Sequence, residues 1–381
     1  MSLARLYHLR KNPFAVVPSR TNPFWADREK FKSELEKAIK FTLLGSQSQI
    51  IACIYGDWGS GKTHAMIYFS SDRILQDIAK EIGTSQDRPP LSIPIIFPLK
   101  DVFKSIYLDV IYRNVIPKLG IVLDHVYKQT APLESEGNVE RKFLDMGLNE
   151  DLAKVLSQFS NRNKSMLVGR YLSTNASRTD LDKLGVAKGI ETNGEMLSTF
   201  ADLLRLFTNT ISSRIFIWID DCERLDEVPG REMYEFHHFL RDILDLVPEK
   251  LTLIINFTQL PGLEVPERMT LLGPAVQDRI AKVIRVLPFN QKDYLKYVEE
   301  LLENSRIKTK GRVLPKYFPY SEKCLNNIFE MIEKSTSNIQ PRTVNRVLSS
   351  LLEQGIHEGV SLIDENFLER IKDEVKMAIR S

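Results

Sequence analysis

Five short, mainly apolar runs alternate along this chain with longer stretches in which apolar residues recur every three or four positions. The first run, Ile50-Ile51-Ala52-Cys53-Ile54-Tyr55, is brief and rich in β-branched residues, the mark of a buried strand. Runs of the same kind predict further strands at 91–99, 214–219, 251–256 and 283–287. Helical spacing predicts a helix at 28–43, another from Thr63 onward, and helices at 102–116, 150–159 and 197–211; everything after Phe289 has the helical period. Strands interleaved with helices imply an α/β fold: a doubly wound parallel sheet of five strands with helices on both faces, followed by an all-helical unit. The expected organisation is an extended N-terminal segment over 1–26, punctuated by Asn-Pro-Phe at 12–14 and 22–24, then a core over 27–289 and a helical unit over 290–381. Within the core, about 101–211 reads as a helical insert and not as a structureless loop.

Directly after the first run stands Gly56-Asp57-Trp58-Gly59-Ser60-Gly61-Lys62-Thr63, a complete G-x-x-x-x-G-K-[ST] phosphate loop, and Thr63-His64-Ala65-Met66 continues at helical spacing. Strand, glycine loop and helix are together what triphosphate binding requires. Glycines let backbone N–H groups turn inward around phosphates, and a helix N-terminus adds positive partial charge. Lys62 is expected to reach the β and γ phosphates and the Thr63 hydroxyl to hold Mg²⁺, so residues 56–64, through His64, form the expected ATP-binding set.

The third run, Arg214-Ile215-Phe216-Ile217-Trp218-Ile219, ends in the carboxylates Asp220, Asp221 and Glu223. In a parallel sheet the carboxyl ends of the strands face the ligand crevice, which brings Asp220 beside the phosphate loop as a second Mg²⁺ ligand. The base that polarises the attacking water is then Asp221 or Glu223.

Composition adds little. With 381 residues and 43% apolar content the chain can bury an ample core, and a net charge of +2 makes it no polycation for nucleic acid. Cys53, Cys222 and Cys324 lack metal-like spacing and read as reduced thiols, and the six histidines form no metal pattern. Met1-Ser2-Leu3-Ala4-Arg5 opens no apolar leader, and no run approaches the roughly 18 apolar residues of a membrane span, so a cytoplasmic protein off the membrane is expected. Two basic stretches stand out: the first forty residues, with nine Lys/Arg against four Asp/Glu, and Arg306, Lys308, Lys310, Arg312 and Lys316. Each is either a phosphate contact or a solvated surface, and neither interleaves aromatic groups as single-strand binders tend to.

On these residues the chain resembles the AAA+ ATPases over roughly 12–375, in the branch that includes replication-origin initiators and the signal-transducing STAND ATPases. The resemblance implies that the run at 214–225 is a Walker B element, where glutamate is usual at the position of Asp221. It implies that Asn256, at the tip of the fourth strand, is the first sensor of the γ-phosphate, and that Arg279 in Gly273-Pro274-Ala275-Val276-Gln277-Asp278-Arg279-Ile280 is an arginine finger acting on a neighbouring subunit; Arg285 competes for that role. Asn338-Ile339-Gln340-Pro341-Arg342-Thr343-Val344 is similar to the second sensor motif, whose arginine, here Arg342, reaches back to the nucleotide from a helical lid. A finger implies a homo-oligomer or a second ATPase subunit. Origin initiators continue past the lid into a winged-helix domain, and the last lid helix is matched by Ser361-Leu362-Ile363-Asp364-Glu365-Asn366-Phe367-Leu368, so DNA contact is open but no DNA-binding domain is recognised. Weaker resemblances touch ATPases of BREX-type phage-defence systems, through Arg170-Tyr171-Leu172 and Leu184-Gly185-Val186, and of transposition modules, through the two Asn-Pro-Phe tripeptides.

Two functions follow as expectations. One is an ATP-hydrolysing motor or loader that remodels a partner in replication, mobile-element movement or genome defence. The other is a STAND-type switch in which nucleotide binding orders the lid and hydrolysis is slow or absent.

Overall fold

The computed structural model describes residues 2–17, 23–45, 49–84, 88–129, 136–247, 250–259, 269–308 and 313–380. Five strands, β1 (Gln49–Gly56), β2 (Leu91–Ile96), β3 (Ile215–Asp220), β4 (Leu251–Thr258) and β5 (Ile280–Val286), form one sheet in the order β2-β3-β4-β1-β5. Every pairing is parallel. The register aligns Gly56 with Thr258 and Ile96 with Asp220, which brings the ends of β1, β3 and β4 to one edge.

Both faces of this sheet are covered, which is why its strands read as continuous apolar runs and not as alternating ones. On one face Ala52, Ile54, Phe216, Trp218 and Ile254 pack with residues of the helices Glu29–Leu44 and Lys62–Phe69. Trp218 is fully buried there, and its ring stacks on Phe69. Truncating such a side chain to alanine costs about 3–5 kcal/mol. On the other face Ile51, Cys53, Ile217 and Ile255 share a core with the helices Val102–Val110, Asn193–Thr210 and Gly230–Leu246. The helical insert thus completes the main core of the sheet. Within it the chain passes from Val102–Val110 through a π-helical stretch, Ile111–Val115, into Ile116–Gln129. Pro117 explains the widened turn, since it has no N–H to give to an i−4 carbonyl.

The helices Gln291–Ser305, Glu322–Ser335, Pro341–Glu358, Glu365–Arg370 and Lys372–Arg380 enclose a second core. Asp364 caps Glu365–Arg370 by accepting the Phe367 N–H at 2.9 Å. The N-terminal segment is not extended throughout. Leu3–Tyr7 is helical, and Tyr7, Leu9 and Phe14 are buried in this second core, because their large apolar side chains find there the cover that an extended strand would not give. Further along, Trp25 is buried against Phe31, Tyr68 and Phe69, so the N-terminal residues touch both halves of the molecule. Asn22 of the second Asn-Pro-Phe lies outside the described residues.

Three strand boundaries differ from the apolar runs by two residues or more. β2 stops at Ile96, ahead of Pro98; β5 starts at Ile280, three residues before its expected start; and β4 continues two residues past Asn256. Phe257 carries β4 onward because it is buried in the main core.

Candidate functional site

A cavity of about 500 Å³ lies between the carboxyl edge of the sheet, the N-terminal segment and the C-terminal helices. Its floor is the phosphate loop, with Trp58, Gly59, Ser60, Gly61, Lys62, Thr63 and His64 among the lining residues. The loop turns tightly because Gly59 and Gly61 have φ of 78° and 104°, values that a side chain resists. At Gly59 a Cβ would also stand 2.8 Å from the Cβ of Arg342.

Lys62 is 6% exposed, and its Nζ donates to the carbonyls of Gly56 at 2.9 Å and Asp57 at 3.1 Å. Burial pushes its pKa down, while Glu223, Asp220, Asp221 and Asp57 hold it up. Such a lysine, aimed at a cavity floor and ringed by carboxylates, suits a polyanion carried in with a divalent cation.

Asp220 ends β3 at 1% exposure. Its Oδ1 accepts the Asn256 amide N–H at 2.8 Å, and its buried Oδ2 has no hydrogen-bond partner among the described residues. A carboxylate oxygen left unsatisfied beside Thr63 and the phosphate loop fits a Mg²⁺ shell. Asp221 lines the same cavity, with φ of 59° and ψ of 34°. Burial, then the neighbouring charges of Asp220 and Glu223, raise its pKa, against the opposing pull of Arg224 and Lys62. Glu223 is turned elsewhere: its carboxylate accepts the backbone N–H of Thr258 at 2.9 Å.

Asn256 is not at the strand tip and does not line the cavity. It is wholly buried, with its amide donating to Asp220 and, at 3.4 Å, to the Lys62 carbonyl. The β4 residue that lines the cavity is Thr258, opposite Gly56 in register. The apolar run ends on Asn256; two positions on lies the same side of the strand, and that period points to Thr258.

Two members of the loop face away from the cavity. Gly56 packs under Val286, and Asp57 directs its carboxylate to the Asn338 and Gln340 amides. His64 lines the cavity wall, with its Nε2 2.9 Å from the Phe24 carbonyl, and burial lowers its pKa. Arg342, one residue after Pro341 starts its helix, also lines the cavity, with its guanidinium 4.9 Å from the centre of the Trp58 ring. The upper walls were not legible from motifs: Phe24, Trp25 and Ala26 from the N-terminal segment, and Tyr297 and Leu301 from the C-terminal helices.

Arg279 stands apart from this cavity, between Pro274–Gln277 and β5, and pairs with Asp245 at 2.9 Å. Arg285 is exposed on β5, the edge strand beside β1. Of the basic stretch, Arg306 is occupied by Glu303 and by the carbonyls of Pro315 and Lys316, and Lys316 pairs with Glu299 at 2.9 Å. Arg306 is thereby a loop tether, and Lys310 and Arg312 lie outside the described residues. Cys53, Cys222 and Cys324 are buried, and among the described residues no helix is long and apolar enough to cross a membrane.

No protein-family model matches the chain, and no curated protein does. Among solved structures, the Aeropyrum pernix ORC2 protein in its ADPNP-ADP complexes is similar, with 12% identity and a TM-score of 0.53 over 98% of this chain and 72% of that one. The Aeropyrum pernix ORC1 protein in complex with DNA matches at 12% identity and a TM-score of 0.52, covering 96% of this chain and 69% of that one. At this identity the likeness is one of fold.

Proposed function

We propose that this chain, built on the AAA+ fold of the origin-initiator type, binds ATP with Mg²⁺ in the cavity above the phosphate loop and hydrolyses it. The observation that carries the reading is the convergence of buried Lys62, Asp220 and Thr258 with half-buried Asp221 on one cavity floor. Thr63 and Asp220 would hold Mg²⁺, which when bound offsets the negative charge of the phosphates. Lys62 exchanges its carbonyl partners for phosphate oxygens, and the inward backbone N–H groups of the loop orient the triphosphate. Asp221, which lines the cavity, takes the proton of the attacking water; burial and its acidic neighbours raise its pKa, the direction that makes a carboxylate a stronger base. Glu223 keeps the end of β4 in place so that Thr258 faces the reacting phosphate. Arg279, outside its own cavity, acts on a nucleotide held by a neighbouring copy or second ATPase subunit, where the transferred phosphoryl group gathers charge. Residues 27–289 serve as the ATPase core and 290–381 as its lid, in a DNA-related process such as those of its structural neighbours. Calorimetric titration with ATP tests the reading: Mg²⁺-dependent binding that Lys62→Ala abolishes is expected, and equal binding by both proteins would overturn it.

A nucleotide-gated switch is the second reading. The contact of the lid with the phosphate loop through Asp57 and Arg342 favours it, since nucleotide and lid then compete for or share one surface.

A further inference from the structure

A phosphate loop needs its glycines, lysine and hydroxyl; its second position is free, and here it carries a carboxylate that is not spent on the nucleotide cavity. Asp57 Oδ2 accepts the Asn338 Nδ2–H at 2.6 Å and the Gln340 Nε2–H at 2.9 Å. Both donors sit in the turn that feeds the helix Pro341–Glu358. Gln340 occupies the position before that helix, is 6% exposed, and makes no capping bond with its side chain, so its amide is committed across the boundary between the two halves. Bonds to an ionised acceptor are shorter and stronger than neutral ones, and two on one oxygen fix the turn in position and in angle. Immediately after it, the Arg342 N–H points at the Gly59 carbonyl at 3.4 Å, and the Arg342 guanidinium covers exposed Trp58.

We propose that Asp57 is a positioning residue that acts through Arg342: its carboxylate anchors the Asn338–Gln340 turn and so sets the Arg342 guanidinium over the phosphate loop, where it meets the bound triphosphate. The inference rests on the nucleotide-binding reading above. Its logic is reciprocal, because a nucleotide that gains from Arg342 being held must in turn tighten the hold of the lid.

The test compares Asp57→Ala, Asp57→Asn, Arg342→Ala and the Asp57→Ala/Arg342→Ala double variant by their Kd for ATP with Mg²⁺. A loss of about tenfold is expected for Asp57→Ala, equal to one bond of 1.4 kcal/mol. Asp57→Asn keeps an oxygen acceptor and recovers part of that loss. The double variant binds no more weakly than Arg342→Ala alone, because removing the arginine leaves nothing to position. Additive losses, or wild-type affinity in Asp57→Ala, overturn the proposal. Asn338→Ala/Gln340→Ala must reproduce the Asp57→Ala loss from the other side of the contact, and failure to do so also overturns it. A readout without nucleotide separates this proposal from the ATP reading. Asp57→Ala is expected to shift the emission of Trp58, with Trp58→Phe as control, and to speed amide exchange in the first turn of Pro341–Glu358, even if the wild-type chain binds no ATP. Unchanged emission and exchange would show that Asp57 anchors nothing.

Discussion

The carboxylate of Glu223 accepts the backbone N–H of Thr258 at 2.9 Å, which ties the acidic turn after β3 to the last residue of β4. One of the two candidate bases is thereby engaged in holding the strand edge, while Asp221 is left facing the cavity.

The exchange of each acid for its amide separates the two roles. Asp221→Asn should bind ATP with little change and lose about 10²–10⁴-fold in turnover, the usual contribution of a general base. Glu223→Gln keeps an oxygen for the Thr258 N–H and should retain most of the rate. Steady-state phosphate release reads both, and a larger loss in Glu223→Gln would transfer the base to that residue.

The pH profile follows from the same cluster. Burial and the charges of Asp220 and Glu223 favour the protonated form of Asp221, so its pKa is raised and the acidic limb of kcat should lie above the ordinary aspartate range. Glu223→Gln removes one negative neighbour, which eases ionisation, and should move the limb down. A limb that moves up with this substitution would contradict the assignment.

Asn256 and Thr258 should part company in stability measurements. Asn256→Leu deletes the amide that satisfies buried Asp220 and should cost about 1–3 kcal/mol in urea unfolding. Thr258→Val should unfold close to wild type yet turn over more slowly, since only its side chain reaches the cavity. Slowed turnover at wild-type stability in Asn256→Leu would make Asn256 the residue that acts on the phosphate.

Mixing inactive variants tests whether the site is shared. Arg279→Ala should bind ATP and lose about 10³-fold or more in rate, and Lys62→Ala should not bind. Mixed, an Arg279→Ala subunit holds nucleotide for the intact arginine of a Lys62→Ala neighbour, and part of the activity returns. No recovery at any ratio would leave Arg279 to its pairing with Asp245.

Much of this architecture was legible because its physics is local in sequence. A phosphate loop is contiguous, and the strands of a sheet covered on both faces are plain apolar runs, so the position of the loop between β1 and its helix needed no tertiary information. What the sequence withheld depends on register and on distance along the chain. Asn256 and Thr258 are both polar residues near a strand end, and only the pairing of Gly56 with Thr258 decides which one reaches the floor. Asp57 reads as one more loop residue until Asn338 and Gln340 arrive from some 280 positions away. Trp25 and Tyr297 form cavity walls for the same reason, since nothing in their own neighbourhoods marks them as more than core.

The most direct test of the central claim is phosphate release from ATP and Mg²⁺ by the wild-type chain over a wide range of protein concentration, with Asp221→Asn as control. The account predicts release whose specific activity climbs as subunits meet, and which Asp221→Asn abolishes. Tight ATP binding with no release at any concentration would contradict hydrolysis and leave the nucleotide-gated switch in its place.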